Sequence, residues 1–194
     1  MQDHDIAVRK TQADGLSPAL IEQIDTIFFE ASSRTFPPGP ERDAFRERWL
    51  GRYLGGGSDA LFLALQAENT VAGYLVGAVE NPALQERFAD IGYFRTEFAA
   101  LCRQFPAHLH INLSPAFRSR GIGARLIEAF ADYASGRGAA GMHIVTGQGM
   151  RNVRFYERCG FQERGNAPWK GGEVVFLARS LEPHSAQGSA SIAR

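Results

Sequence analysis

With 194 residues, 44% of them hydrophobic and 22% charged, the chain can bury one sizeable core and is too short for two large domains. Its 21 basic residues balance 21 acidic ones, so overall charge gives no reason to expect nucleic acid as a partner. No basic leader runs into an apolar stretch, nothing nears the roughly 20 apolar residues of a membrane span, and Cys102 and Cys159 lack the spacing of a disulfide framework or metal site. A cytoplasmic protein with no membrane contact and no metal is the expectation.

In chain order, residues 6–9 have the β-branched look of a first strand. Ser17-Pro18 then supplies a helix cap with proline at the first helical position. The helix is predicted over residues 18–32, where Leu20, Ile21, Ile24, Ile27, Phe28 and Ala31 form one apolar stripe. Pro37-Pro-Gly-Pro40 interrupts the chain, and a short helix follows over 43–54, stopped by Gly55-Gly-Gly57. Residues 61–67 and 71–79 read as two antiparallel strands joined by a tight turn. Over 81–105 the pattern is helical again, with Leu84, Phe88 and Ile91 on one face, Phe94, Phe98, Leu101 and Cys102 on another, and a break near Gly92. Strand 109–113, helix 121–134, strand 142–146, helix 151–158 and strand 174–178 complete a mixed α/β pattern. One domain over 1–181, with a helical insert at 81–105, and a disordered polar tail over 182–194 is the expected organisation.

Between strand 109–113 and the helix that follows lies Ser114-Pro-Ala-Phe-Arg-Ser-Arg-Gly-Ile-Gly123, a basic loop punctuated by glycine. Such a loop lets successive N–H groups converge on an anion, and the positive end of the helix adds to the same spot. A pyrophosphate suits it. On the glycines alone, a plain strand-to-helix turn is the better account of the sequence. Neither a Walker ending nor Gly-x-Gly-x-x-Gly spacing is present.

Arg118-Ser-Arg-Gly-Ile-Gly123 resembles the acetyl-CoA loop, Arg/Gln-x-x-Gly-x-Gly/Ala, of the GNAT acetyltransferases. Gly149-Met-Arg-Asn-Val-Arg-Phe-Tyr-Glu-Arg-Cys-Gly-Phe161 resembles their Asn-x-x-Ala-x-x-Phe-Tyr-x-x-x-Gly-Phe segment, with Gly149 where asparagine is frequent and Asn152 where a small residue is frequent. Trp49-Leu-Gly-Arg-Tyr-Leu54, Val71-Ala-Gly-Tyr-Leu-Val-Gly77 and Phe105-Pro-Ala-His-Leu-His-Ile-Asn-Leu113 are similar, more narrowly, to acetyltransferase-like proteins related to the C-terminal domain of O-GlcNAcase, in which aspartate is usual where Asn112 stands. The resemblance implies a splayed sheet, opened between strands 109–113 and 142–146, and direct acetyl transfer from acetyl-CoA to a primary amine on a small molecule or peptide. Dimerisation is common in that family, so a homodimer is among its implications.

The same resemblance assigns roles. Backbone amides of Arg118, Ser119, Arg120, Gly121, Ile122, Gly123 and Ala124 would hold the pyrophosphate, and Leu113 would pair with the pantetheine arm. Tyr156 matches the acid that protonates the departing thiolate. A base for the acceptor is sought at His110, which shares a strand face with His108, with His143 a further candidate. Trp49, Tyr53, Glu80 and Asn112 are candidates for binding the acceptor. Seven arginines, no lysine and three acidic residues fall between 118 and 158, a positive stretch that suits an anionic ligand, although Arg137, Arg154 and Arg158 read as solvated helix surface. A non-catalytic acyl-CoA-binding module is the alternative function.

Overall fold

The computed structural model describes residues 6–32, 34–55, 59–67 and 70–182. The expected tail beyond 182, the turn at 68–69 and residues 56–57 lie outside them. In chain order the elements are β1 (Ile6–Thr11), α1 (Pro18–Ala31), α2 (Pro40–Trp49), β2 (Asp59–Gln66), β3 (Thr70–Ala78), α3 (Ala99–Gln104), β4 (Ala107–Leu113), α4 (Ile122–Gly136), β5 (Gly141–Gly147), α5 (Val153–Arg158), β6 (Gln162–Trp169) and β7 (Gly172–Ser180). They build one sheet in the order β1-β2-β3-β4-β5-β7-β6. β1 to β4 pair antiparallel in succession, as do β5 with β7 and β7 with β6. The two halves meet at β4 and β5, which run parallel and are in register only at Ala107↔Met142 and His108↔His143. Beyond that seam the strands part, as the resemblance implied.

Helices cover both faces. On one, Leu126, Ile127, Phe130 and Ala134 of α4 pack with Tyr156 and Phe161 over Leu75, Leu109 and Ile144. On the other, Ile24, Ile27 and Phe28 of α1 join Leu50, Tyr53 and the 81–105 segment over Leu63, Tyr74, Val76 and Phe176. Gly77 lets β3, β4 and α4 close on one another, since a Cβ there would lie 2.6 Å from the His108 carbonyl oxygen and 2.7 Å from Phe130.

The structure departs from the sequence reading in three places. Helix α2 begins at Pro40, whose ring fits the first helical position, and ends at Trp49 rather than near residue 54. Burial of Leu50 and Tyr53 turns the chain inward at that point, long before the glycine run. The 81–105 insert is not a pair of helices. It makes single 3₁₀ turns at Pro82–Leu84, Glu86–Phe88 and Gly92–Phe94 before the short α3. These turns bring Phe88, Ile91, Tyr93, Phe94 and Phe98 to the core, and each fully buried aromatic contributes about 1.5–3 kcal/mol, more than helix propensity offers. Finally, β6 was not anticipated. Only Ala167 of this edge strand is buried, so it has no apolar signature, and it is held by backbone pairing to β7 across a two-residue turn. Lys170 (φ 47°) and Gly171 (φ 80°) make that turn left-handed at both positions.

Candidate active site

The parting of β4 from β5 leaves one strand edge without a neighbour. Ser114 N–H donates to the Ala72 carbonyl at 3.0 Å. Strand alternation therefore turns the backbone groups of His108, His110 and Asn112 toward β3 and those of Ile111 and Leu113 into the gap. The Leu113 carbonyl accepts from Arg118 Nε at 3.2 Å, which ties the start of the basic loop to the strand. Ser119 (φ 62°) and Gly121 (φ 74°) then swing the loop into α4. The first bond at the head of this helix runs from Arg125 N–H to the Gly121 carbonyl at 3.1 Å. The N–H groups of Ile122, Gly123 and Ala124 consequently have no backbone acceptor among the described residues.

Gap, loop and α5 enclose a cavity of 1020 Å³, lined among others by Ile111, Asn112, Leu113, Arg118, Gly121, Gly123, Ala124 and Tyr156. It passes through the sheet: Asn112 projects from the β4 face that carries α1, while Tyr156 belongs to the core on the α4 face. Among the described residues, every side chain lining it with a formal charge near neutral pH is an arginine, namely Arg118, Arg151 and Arg158. Arg158, exposed as expected, also borders the cavity. The two departures from the family segment acquire reasons. Gly149 has φ 74°, a left-handed turn at the cavity rim. Asn152 exchanges hydrogen bonds with Thr146 at 3.0 and 3.2 Å, fastening the start of α5 to the end of β5.

Tyr156 is buried, and burial, with a smaller contribution from Cys159, raises its phenol well above the ordinary range, so it is a protonated donor at any physiological pH. Its hydroxyl has no hydrogen-bond partner among the described residues. Asn112 donates through Nδ2 to the Tyr74 hydroxyl at 2.8 Å, a partner that sequence reading did not pick out, although Tyr74 lies directly across from Asn112 in the register. Cys159 and Ala31 also line the cavity without having been foreseen.

Other expected site residues lie elsewhere. His110 is half-buried on the same face as Asn112 but is not part of the cavity wall; its ring meets the edges of Trp49 at 5.5 Å and Tyr53 at 5.3 Å. Burial first and the Arg52 charge second push its pKa down to about 4. Trp49 is not among the described residues of the cavity wall and touches His110 through that ring contact. Tyr53 is core: it is 2% exposed and its hydroxyl is engaged with His108 Nδ1 at 3.0 Å. Glu80 follows β3 at the end opposite the cavity, since Ala78 pairs with His108 while Gly73 pairs with Leu113. Register thus places it at the far end of β3 from the cavity. His143 is wholly buried, with Nδ1 2.5 Å from the Phe105 carbonyl. Among the described residues no cluster of three or more His, Cys, Asp or Glu side chains could hold a metal, and no helix is long and apolar enough to cross a membrane.

Residues 21–161 match the model of the acetyltransferase (GNAT) family. Solved structures with the same fold include a polyamine N-acetyltransferase of Drosophila melanogaster, 19% identical over 91% of this chain and 100% of that one, with a TM-score of 0.64. A GCN5-related N-acetyltransferase from Kribbella flavida is 16% identical over 93% of this chain and 100% of its own, with a TM-score of 0.63. For yncA from Salmonella typhimurium, solved with its cofactor acetyl-CoA, the values are 15%, 96%, 100% and 0.60. At these identities the likeness is one of fold.

Proposed function

The chain belongs to the acetyltransferase (GNAT) family, and from that premise we propose that it moves an acetyl group from acetyl-CoA directly to a primary amine of a small molecule or peptide. The observation that carries this reading is the joining, in one cavity, of an unpaired β4 edge, the unpaired amides that open α4, and a protonated tyrosine. The parts fit the donor. N–H groups of Ile122, Gly123 and Ala124, at the positive end of a helix, suit a pyrophosphate, and Arg118, Arg151 and Arg158 add charge. The gap-facing groups of Ile111 and Leu113 offer strand-like pairing to the pantetheine amides. Acetyl-CoA supplies the activated acyl thioester when bound.

Tyr156 is the residue we assign to give the departing sulfur its proton. His110 has too little proton affinity for a base near neutral pH and is assigned to packing under Trp49. Within the family, residues 49–54, 71–77 and 105–113 support placing the chain with the proteins related to the C-terminal domain of O-GlcNAcase. Two buried free cysteines fit a reducing cytoplasm.

Calorimetric titration with acetyl-CoA, wild type against Gly121→Asp, tests the donor site. A carboxylate at the residue capping α4 would accept from the orphaned amides itself and repel the pyrophosphate, so binding should weaken at least ~100-fold. Absence of binding by folded wild type would remove the donor assignment.

A further inference from the structure

We infer that the acceptor is a weakly basic amine, one with an appreciable neutral fraction at pH 7 such as an arylamine or the α-amine of a peptide, and that Asn112 receives it with an amide oxygen aimed by Tyr74. The inference rests on the acetyltransferase reading above. It begins with the charges that face the cavity. A protonated alkylamine needs an anionic partner to enter and a base to leave its proton on. The walls present Arg118, Arg151 and Arg158, the protonated Tyr156, and Cys159, whose thiol is shifted upward by burial and by Glu128. The arginines repel a cation, and the neutral phenol and thiol offer it no counter-charge.

Behind the wall the situation is the same. Asp25 of α1 and Arg46 of α2, the charged groups that act on Tyr74, are paired with one another at 2.8 Å. His110, on the same face of β4, is uncharged near neutral pH. Among the described residues that line the cavity, Asn112 is the polar group on the acceptor side. Its Nδ2 is spent on the Tyr74 hydroxyl at 2.8 Å, so Oδ1, which has no partner among the described residues, remains for the cavity. An amide oxygen accepts an N–H from a neutral amine and leaves the nitrogen lone pair free to attack; it does not hold an ammonium as a carboxylate would. Tyr74 is 1% exposed and fixed opposite Asn112 by the strand register, which makes it the positioning residue.

The chemistry balances without a base on the enzyme. The amine lone pair forms the new N–C bond as the C–S bond breaks. Tyr156 donates its proton to sulfur and regains one, through solvent, from the acylated nitrogen, leaving an amide and a thiol.

The test is steady-state acetylation at saturating acetyl-CoA of an arylamine, a dipeptide α-amine and a lysine-like alkylamine across pH. A Lys-type amine, with a pKa of about 10.4, is neutral in about one molecule in 2,500 at pH 7, against roughly one in ten for an α-amine near 7.7–8.0. The expected result is a kcat/KM for each acceptor that levels off at that amine's own pKa, with the alkylamine at least ~100-fold poorer at pH 7. Tyr74→Phe should raise acceptor KM about 10-fold with little change in kcat or in acetyl-CoA affinity, since it loses one hydrogen bond of aim. Asn112→Asp should reverse the preference by restoring an anion. An alkylamine profile that levels off near neutrality, at an efficiency matching the arylamine, overturns the inference while leaving the acetyltransferase in place. Acetyl-CoA binding with turnover of none of the three amines overturns both.

Discussion

Single residues set the chemistry of this cavity by what surrounds them. Tyr156 sits in sequence where a family motif has its acid, and burial keeps its phenol protonated, the state that the role proposed for it requires. Tyr156→Phe keeps the ring contacts with Phe155 and Phe161 and removes only the donor. Turnover should fall about 10²-fold or more while calorimetry reports unchanged acetyl-CoA affinity; a variant with wild-type kcat would take the role from Tyr156. His110 illustrates the reverse case. Its place on the central strand made it a reasonable base, and the aromatic packing that lowers its proton affinity was invisible until Trp49 and Tyr53 were seen against its ring.

At the scale of elements, the seam between β4 and β5 is where the two halves of the sheet are joined, and it is built from buried histidines. His108 and His143 stand side by side at the last registered pair, their rings stacked at 5.6 Å. Burial dominates in lowering both, His143 to about 4, opposed in its case by the hydrogen bond with Phe105 O. The folded protein thus holds these rings neutral while an unfolded chain would bind protons below about pH 6.5. Stability is full above that value and declines as pH falls toward about 4, by as much as ~3 kcal/mol for His143 alone. Thermal unfolding followed from about pH 7.5 down to about pH 4.5 should show the wild type losing more of its melting temperature than His143→Gln. Equal losses would mean that His143 does not govern acid stability. Insert and edge strand belong to this scale too. Residues 81–105 carried a helical periodicity that tertiary burial of Phe88, Tyr93, Phe94 and Phe98 overrode, and β6 had no apolar pattern to detect. The one local signal for β6 was the Lys170-Gly171 pair, which fits a two-residue hairpin.

For the whole molecule, the cavity is also a gap in the sheet, so a ligand that pairs with β4 completes the structure. Binding to the folded state alone stabilises it by about 2.7 kcal/mol at a ligand concentration 100 times Kd. For a chain of this length that corresponds to a rise in melting temperature of roughly 5–10 °C, which a thermal shift measurement with acetyl-CoA would register; no shift at saturation would argue against insertion between the strands. What the sequence determined by itself was whatever depends on neighbours along the chain: the amphipathic stripes of α1 and α4, the β2–β3 pair, the glycine-punctuated anion loop before α4, and the family segment carrying Tyr156. Those signals are periodic or contiguous, and short-range physics is enough to produce them. Tertiary structure alone decided which face of β4 meets which helix, that Glu80 and Tyr53 lie apart from the cavity, that Arg158 borders it, and that Tyr74 holds Asn112. These are contacts between residues far apart in the chain, 55 positions in the case of Tyr53 and His108, fixed by strand register and packing, for which no local pattern in the chain carries a signature.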